Sequence, residues 1–155
     1  MLDTIKSHIS QTQNQYYKLI LVVGSPASGT QTLNELGSEF NTPIINLGYE
    51  LSARLLEVPA KSRPLKVQQT TEDIISDQGS DVVLLDHLEF LFEPSLKQNP
   101  LNLLKQLSRN QVVIASWRGE YSDGKITYAI QGHPEYRQYD ARDILIISPS
   151  NTTHV

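Results

Sequence analysis

Gly24-Ser25-Pro26-Ala27-Ser28-Gly29-Thr30-Gln31-Thr32 follows directly on the apolar run Leu19-Ile20-Leu21-Val22-Val23. A buried strand, small residues between two glycines, then a helical pattern: this is the order of a phosphate-binding loop, G-x-x-x-x-G-K-[ST]. In such a loop the glycines let successive N–H groups point inward, and the following helix adds its positive end. The lysine reaches the terminal phosphates and the Ser/Thr hydroxyl holds magnesium. Here Gly24 and Gly29 are in place, and Pro26, Ala27 and Ser28 are small enough for a ligand to come close. Thr30, however, stands at the lysine position and Gln31 at the Ser/Thr position, with Thr32 one residue too late. Taken alone, the window divides evenly between a phosphate cradle (Gly24 to Thr32) and a plain strand-to-helix turn.

Outward from this window, strand-like and helical patterns alternate. Tyr17 to Val23 reads as a strand covered on both faces. Gly29 to Phe40 reads as a helix with Leu33, Leu36 and Phe40 on one side. Pro43 to Leu47 is a short strand, Glu50 to Glu57 a helix, Pro59 to Pro64 a break, and Leu65 to Asp77 a helix ended by Gly79. Asp81 to Asp86 is the third strand, and Leu88 to Phe92 a short apolar segment. Pro100 to Arg109 is a helix with proline in its first turn. Gln111 to Ser116 and Ile144 to Ser148 are further strands, and Asp123-Gly124 marks a hairpin turn. The alternation predicts an α/β, three-layer P-loop NTPase-like fold with a mainly parallel five-stranded sheet and right-handed crossovers. The expected division is a polar N-terminal segment over 1–15, the domain over 16–148 and a loose tail over 149–155.

The bulk properties narrow the class. A chain of 155 residues suits one domain with a real core. No cysteine is present, which excludes disulfides and thiolate metal sites. The net charge of −4 argues against broad nucleic-acid binding. No apolar run is long enough for a bilayer, and the expected compartment is the cytoplasm.

Val82-Val83-Leu84-Leu85-Asp86 is an apolar strand ending in a carboxylate, the pattern that aims an acid at magnesium beside a phosphate loop. Many strands end in Asp merely as a turn residue, but here the loop strand comes first, one strand intervenes, and the acidic strand follows. Asp86 is thus the candidate for magnesium, through water, with ATP as the nucleotide. Glu89 is the candidate for orienting water, with Glu50 and His87 as lesser choices. Ser116 and Arg118, at the end of the fourth strand, are candidate sensors of a terminal phosphate. His133-Pro134-Glu135 and His87-x-Glu89 are each only half of a metal site. Tyr121, Tyr128, Tyr136 and Tyr139, near Lys125, Arg137 and Arg142, suit packing or an interface more than base stacking.

Four further segments carry a resemblance: Asn46-Leu47-Gly48-Tyr49-Glu50-Leu51-Ser52-Ala53-Arg54-Leu55-Leu56, Asp81-Val82-Val83-Leu84-Leu85-Asp86-His87-Leu88-Glu89, Phe92-Glu93-Pro94-Ser95-Leu96-Lys97-Gln98-Asn99-Pro100 and Gly132-His133-Pro134-Glu135-Tyr136. With them and the loop at Gly24, the chain resembles the BrxF family, the small P-loop proteins of type III bacteriophage exclusion (BREX) systems. The resemblance implies a prokaryotic antiviral component working beside a large ATPase, a DNA methyltransferase and a phosphatase-like protein. Homo-oligomerisation and DNA contact stay open; a membrane is not expected. Family members carry lysine and Ser/Thr in the loop, so Thr30 and Gln31 depart where charge matters most. The implied role is an accessory module binding nucleotide or a partner subunit. The alternative is an active ATPase that borrows a cation, with Arg54, Arg63, Arg109 and Arg118 as candidates.

Overall fold

The computed structural model describes residues 2–129 and 136–148. In chain order these form α1 (Leu2–Thr12), β1 (Leu19–Gly24), α2 (Pro26–Phe40), β2 (Ile44–Asn46), α3 (Leu47–Leu55), α4 (Arg63–Gln78), β3 (Val82–Asp86), α5 (Pro100–Leu107), β4 (Val112–Ser122), β5 (Lys125–Ala129), β6 (Tyr136–Asp140) and β7 (Leu145–Ile147). Short 3-10 turns occupy Ala60–Ser62, Leu88–Phe92 and Pro94–Leu96.

Five strands run parallel in the order β2-β3-β4-β1-β7. The chain moves from β1 to the far edge at β2, then returns through β3 to β4. With right-handed crossovers, that reversal sends the connecting helices to opposite faces. The core divides accordingly. Leu19, Leu21 and Val23 of β1 pack with residues of α3, α4 and α5, whereas Ile20 and Val22 pack with Ile5 of α1 and Leu33 and Leu36 of α2. Period-two alternation along one buried strand thus feeds two helical layers.

The expected parallel sheet of five strands is present, but the complete sheet has seven. β4 does not stop at Ser116: it runs on to Ser122 and there pairs antiparallel with β5, which pairs with β6. The Asp-Gly turn forms as its sequence requires, with φ of 50° at Asp123 and 76° at Gly124. β6 was not anticipated because Tyr-Arg-Gln-Tyr-Asp has too few apolar residues to show an alternation. An aromatic cluster fastens this extension to the core. Phe92 stacks on Tyr128 at 3.6 Å, Trp117 meets both edge-on, and Tyr139 meets Trp117 at 5.7 Å. The Trp117 indole N–H donates to the Thr127 carbonyl at 2.9 Å. Tyr128 and Tyr139 are therefore packing residues, while Tyr121 is exposed. The segments 130–135 and 149–155, including His133-Pro134-Glu135, lie outside the described residues.

Two helices start earlier than expected. α2 begins at Pro26 rather than Gly29, because Ser25 is its N-cap and proline is preorganised for the first helical position. α3 begins at Leu47 because Asn46 caps it, its Oδ1 accepting from the Tyr49 N–H at 3.1 Å. α4 ends at Gly79 as expected. Within the polar N-terminal segment, residues 2–12 form α1, whose Ile5 is fully buried among residues of β1, β7 and α2, and whose Lys6 pairs with Glu39 of α2. Among the described residues, no helix is long and apolar enough to cross a membrane.

If α1 belongs to the core, Ile5→Ala will lower unfolding stability by about 3 kcal/mol, the usual cost of emptying a buried aliphatic site. Urea denaturation of the two proteins reads this directly; a loss under about 1 kcal/mol would mean a peripheral helix.

Candidate functional site

The carboxyl ends of β1, β3 and β4 meet where the chain reverses direction across the sheet, the place where open α/β sheets bind ligands. Strand register sets the arrangement. Leu85 of β3 pairs with Ala115 of β4, so Asp86 and Ser116 lie side by side one residue further on. Both have the alternation of Leu84 and Ile114, whose side chains pack in the α2 layer. α2 comes very close to β4 at this level. A Cβ on Gly29 would lie 2.9 Å from the Ser116 Cβ, so only glycine admits this approach without a shift.

The result is a closed polar cluster around one carboxylate. Asp86 is 6% exposed. Thr30 Oγ1 donates to its Oδ2 at 2.8 Å. Ser116 Oγ donates to its Oδ1 at 2.5 Å, and the His87 backbone N–H donates to the same oxygen at 2.9 Å. His87 adopts a left-handed conformation, φ 60°, which turns the chain sharply out of β3 and brings that N–H back to the carboxylate. A buried carboxylate needs such donors, and bonds to an ionised acceptor are the stronger ones. Its side chain has about four lone-pair positions, and three of them are used.

The loop window is helical. Ser25 Oγ accepts from the Ser28 N–H at 3.3 Å, and the Gly29 N–H bonds the Ser25 carbonyl at 3.1 Å. Pro26 has no N–H, so Ala27 alone in the first turn keeps an uncommitted backbone donor. The side chains of Ser25 and Ser28 bond one another at 3.1 Å. Gln31 is exposed, and Thr32 is buried with its hydroxyl on the Ser28 carbonyl at 2.9 Å. Of the window Gly24 to Thr32, therefore, only Thr30 reaches Asp86 through a side chain, and Gly29 permits the contact.

The other candidates fall into two groups. Ser116 belongs to the cluster, though as a donor to Asp86 and not as a free sensor. Arg118 sits in register beside Gly24 and makes no hydrogen bond or ion pair with a described residue. Glu89 Oε2 lies 4.0 Å from His87 Nδ1, and His87 Nε2 lies 3.7 Å from Asp86 Oδ2, so Glu89 neighbours the cluster only through His87. Nearby, burial pushes the Tyr128 phenol well above the usual range; the Glu89 charge adds to this and Arg118 opposes it. The alternative cations are committed elsewhere: Arg54 pairs with Asp77 at 2.9 Å, Arg63 donates to the Leu55 and Val58 carbonyls, and Arg109 lies on Tyr16. Among the described residues, no group of three or more His, Asp or Glu side chains is placed to hold a metal. Sequence reasoning saw Thr30 only as a missing lysine; that its hydroxyl would meet Asp86 depends on the helix start and on the closeness of Gly29 to Ser116.

The chain matches no family model, no curated protein and no solved structure.

Removing the Thr30 hydroxyl in the near-isosteric Thr30→Val leaves the buried carboxylate a donor short. The expected loss is about 2 kcal/mol, at the level of a hydrogen bond to a charged group. In an Asp86→Asn background the same substitution should cost less, and a double-mutant cycle by chemical denaturation measures that coupling. Additive losses would show that the bond contributes nothing.

Proposed function

We propose that this chain is an accessory P-loop-like protein whose phosphate site is closed, acting by holding a partner subunit and not by turning over nucleotide. One observation carries the reading: the carboxylate of Asp86, which would have to face magnesium, already accepts from Thr30, Ser116 and the His87 backbone. A second supports it. α2 starts at Pro26, so the residues that would wrap a triphosphate form a capped helical turn in which, from Pro26 to Gly29, Ala27 alone keeps a spare N–H. Phosphoryl transfer depends almost wholly on positioned charge, and among the described residues no lysine or arginine hydrogen-bonds or ion-pairs with this cluster. The strand-then-helix order at Gly24 and the acid at the end of β3 support the finer assignment to P-loop-like folds. The resemblance to the BREX P-loop proteins supports a place in an anti-phage complex with a large ATPase, a methyltransferase and a phosphatase-like protein.

The second reading is an active, magnesium-dependent ATPase, and Arg118 is the observation that favours it. An arginine that makes no ion pair with a described residue, in register beside Gly24, is a cation within the reach of a phosphate there. This reading requires Thr30 to release Asp86.

Calorimetric titration of ATP with magnesium, run beside a phosphate-release assay, separates the two. The expected result is no release above background and no nucleotide binding that changes on substitution of Asp86. Turnover abolished by Asp86→Ala would overturn the closed-site reading. Thr30→Lys sharpens the comparison: with a closed site the new ammonium pairs with Asp86 and nucleotide affinity stays unchanged, whereas an open site gains affinity.

A further inference from the structure

The opposite end of the sheet holds a second concave feature, a polar cleft of about 460 Å³. It is lined by Gln13 after α1, Lys18 before β1, Ser80 and Asp81 before β3, and Asn110 and Gln111 before β4. Its size falls within the range of small-molecule sites. The side chains of Gln13, Asp81, Asn110 and Gln111 make no hydrogen bond or ion pair with another described residue, so several donors and acceptors converge unspent.

The rim beside Lys18 carries an aromatic platform. The Tyr16 ring is 63% exposed, with the Arg109 guanidinium 4.8 Å from its centroid and the Tyr17 ring meeting it edge-on at 4.8 Å. Lys105 lies 5.5 Å from the Tyr17 ring and pairs with Asp143. Lys18 Nζ donates to the Arg109 carbonyl at 3.1 Å, joining the platform to the cleft. The helices α1, α4 and α5 all end on this side, and their carbonyl ends favour cations. Lys18, Lys105 and Arg109 answer that field, and Asp143 pairs with Lys105, which leaves Lys18 and Arg109 without an ion pair among the described residues.

We propose that this cleft binds a nucleotide, either free or as one unit of a single strand, independently of the cluster at Asp86. Each part of the ligand has a counterpart. The base stacks on the exposed face of Tyr16, held in place by Arg109 and Tyr17. Asp81 and the amides of Gln13, Asn110 and Gln111 meet the base edge, where a carboxylate selects an exocyclic amino group. Lys18 and Arg109 take the phosphate.

Fluorescence anisotropy with a labelled single-stranded oligonucleotide of mixed sequence, and calorimetry with the four ribonucleoside monophosphates, test the proposal on the full chain. Binding of a monophosphate supports the free ligand as the source; binding of the oligonucleotide alone supports the strand. In either case Tyr16→Ala should weaken binding about tenfold or more, in line with loss of a stacked base. Lys18→Gln should lower both the affinity and its salt dependence. Tyr121→Ala, which removes an exposed aromatic far along β4, should leave binding unchanged; Tyr16 is the more exposed of the two, so its substitution leaves the fold intact, which circular dichroism verifies. Failure of both probes to bind at millimolar ligand, or equal affinity in Tyr16→Ala, would overturn the proposal. ATP bound at this cleft is told apart from ATP bound at the Asp86 cluster by its substitutions: binding here is lost in Tyr16→Ala and unchanged in Asp86→Ala.

Discussion

A carboxylate taken out of water must be given hydrogen-bond donors, and around Asp86 this requirement organises three parts of the chain at once. The Thr30 hydroxyl comes from α2, the Ser116 hydroxyl from β4, and the His87 N–H from the turn that leaves β3. Each contact has its own precondition: the β3–β4 register, the near-contact of Gly29 with Ser116, and the left-handed backbone at His87. Changing any one leaves a buried charge short of a partner, which costs more than the bond itself contributes.

The same cluster explains the conformation of a window that has only the glycine spacing of a phosphate loop. Ser25 is a strong N-cap and Pro26 a strong first helical residue, so local capping draws the helix back to the end of β1. With no lysine to accommodate, the next turn places Thr30 against the acid. A neutral hydroxyl from α2 thus meets the carboxylate at the end of β3. What this end of the sheet presents is a hydrogen-bonded cluster, with Arg118, which makes no ion pair with a described residue, in register beside Gly24.

Much of the architecture was legible because buried strands announce themselves. Five apolar runs, the Asp-Gly turn and the Gly79 stop are local signals, and each became the element expected. The extension of β4 past Ser116 and the pairing of β6 were not legible. Their stability comes from Trp117, Phe92, Tyr128 and Tyr139 meeting across distant segments, and no local pattern records that. The role of α1 was hidden for a similar reason, since two isoleucines in a polar stretch identify an inner face only when a sheet is present to receive it.

By itself the sequence determined the α/β layering, the strand-to-helix junction at Gly24 and the acid at the end of β3. These follow from periodicity, glycine and residue type, which act over a few neighbours. Only the tertiary structure decided what the junction does. Strand order brought Asp86, Ser116 and Thr30 together from positions 30 and 56 residues apart, and the close packing of α2 on β4 turned a loop-like motif into a hydrogen-bonded lock. Side-chain chemistry is written in the chain, but which groups satisfy one another depends on distances that only the folded sheet sets.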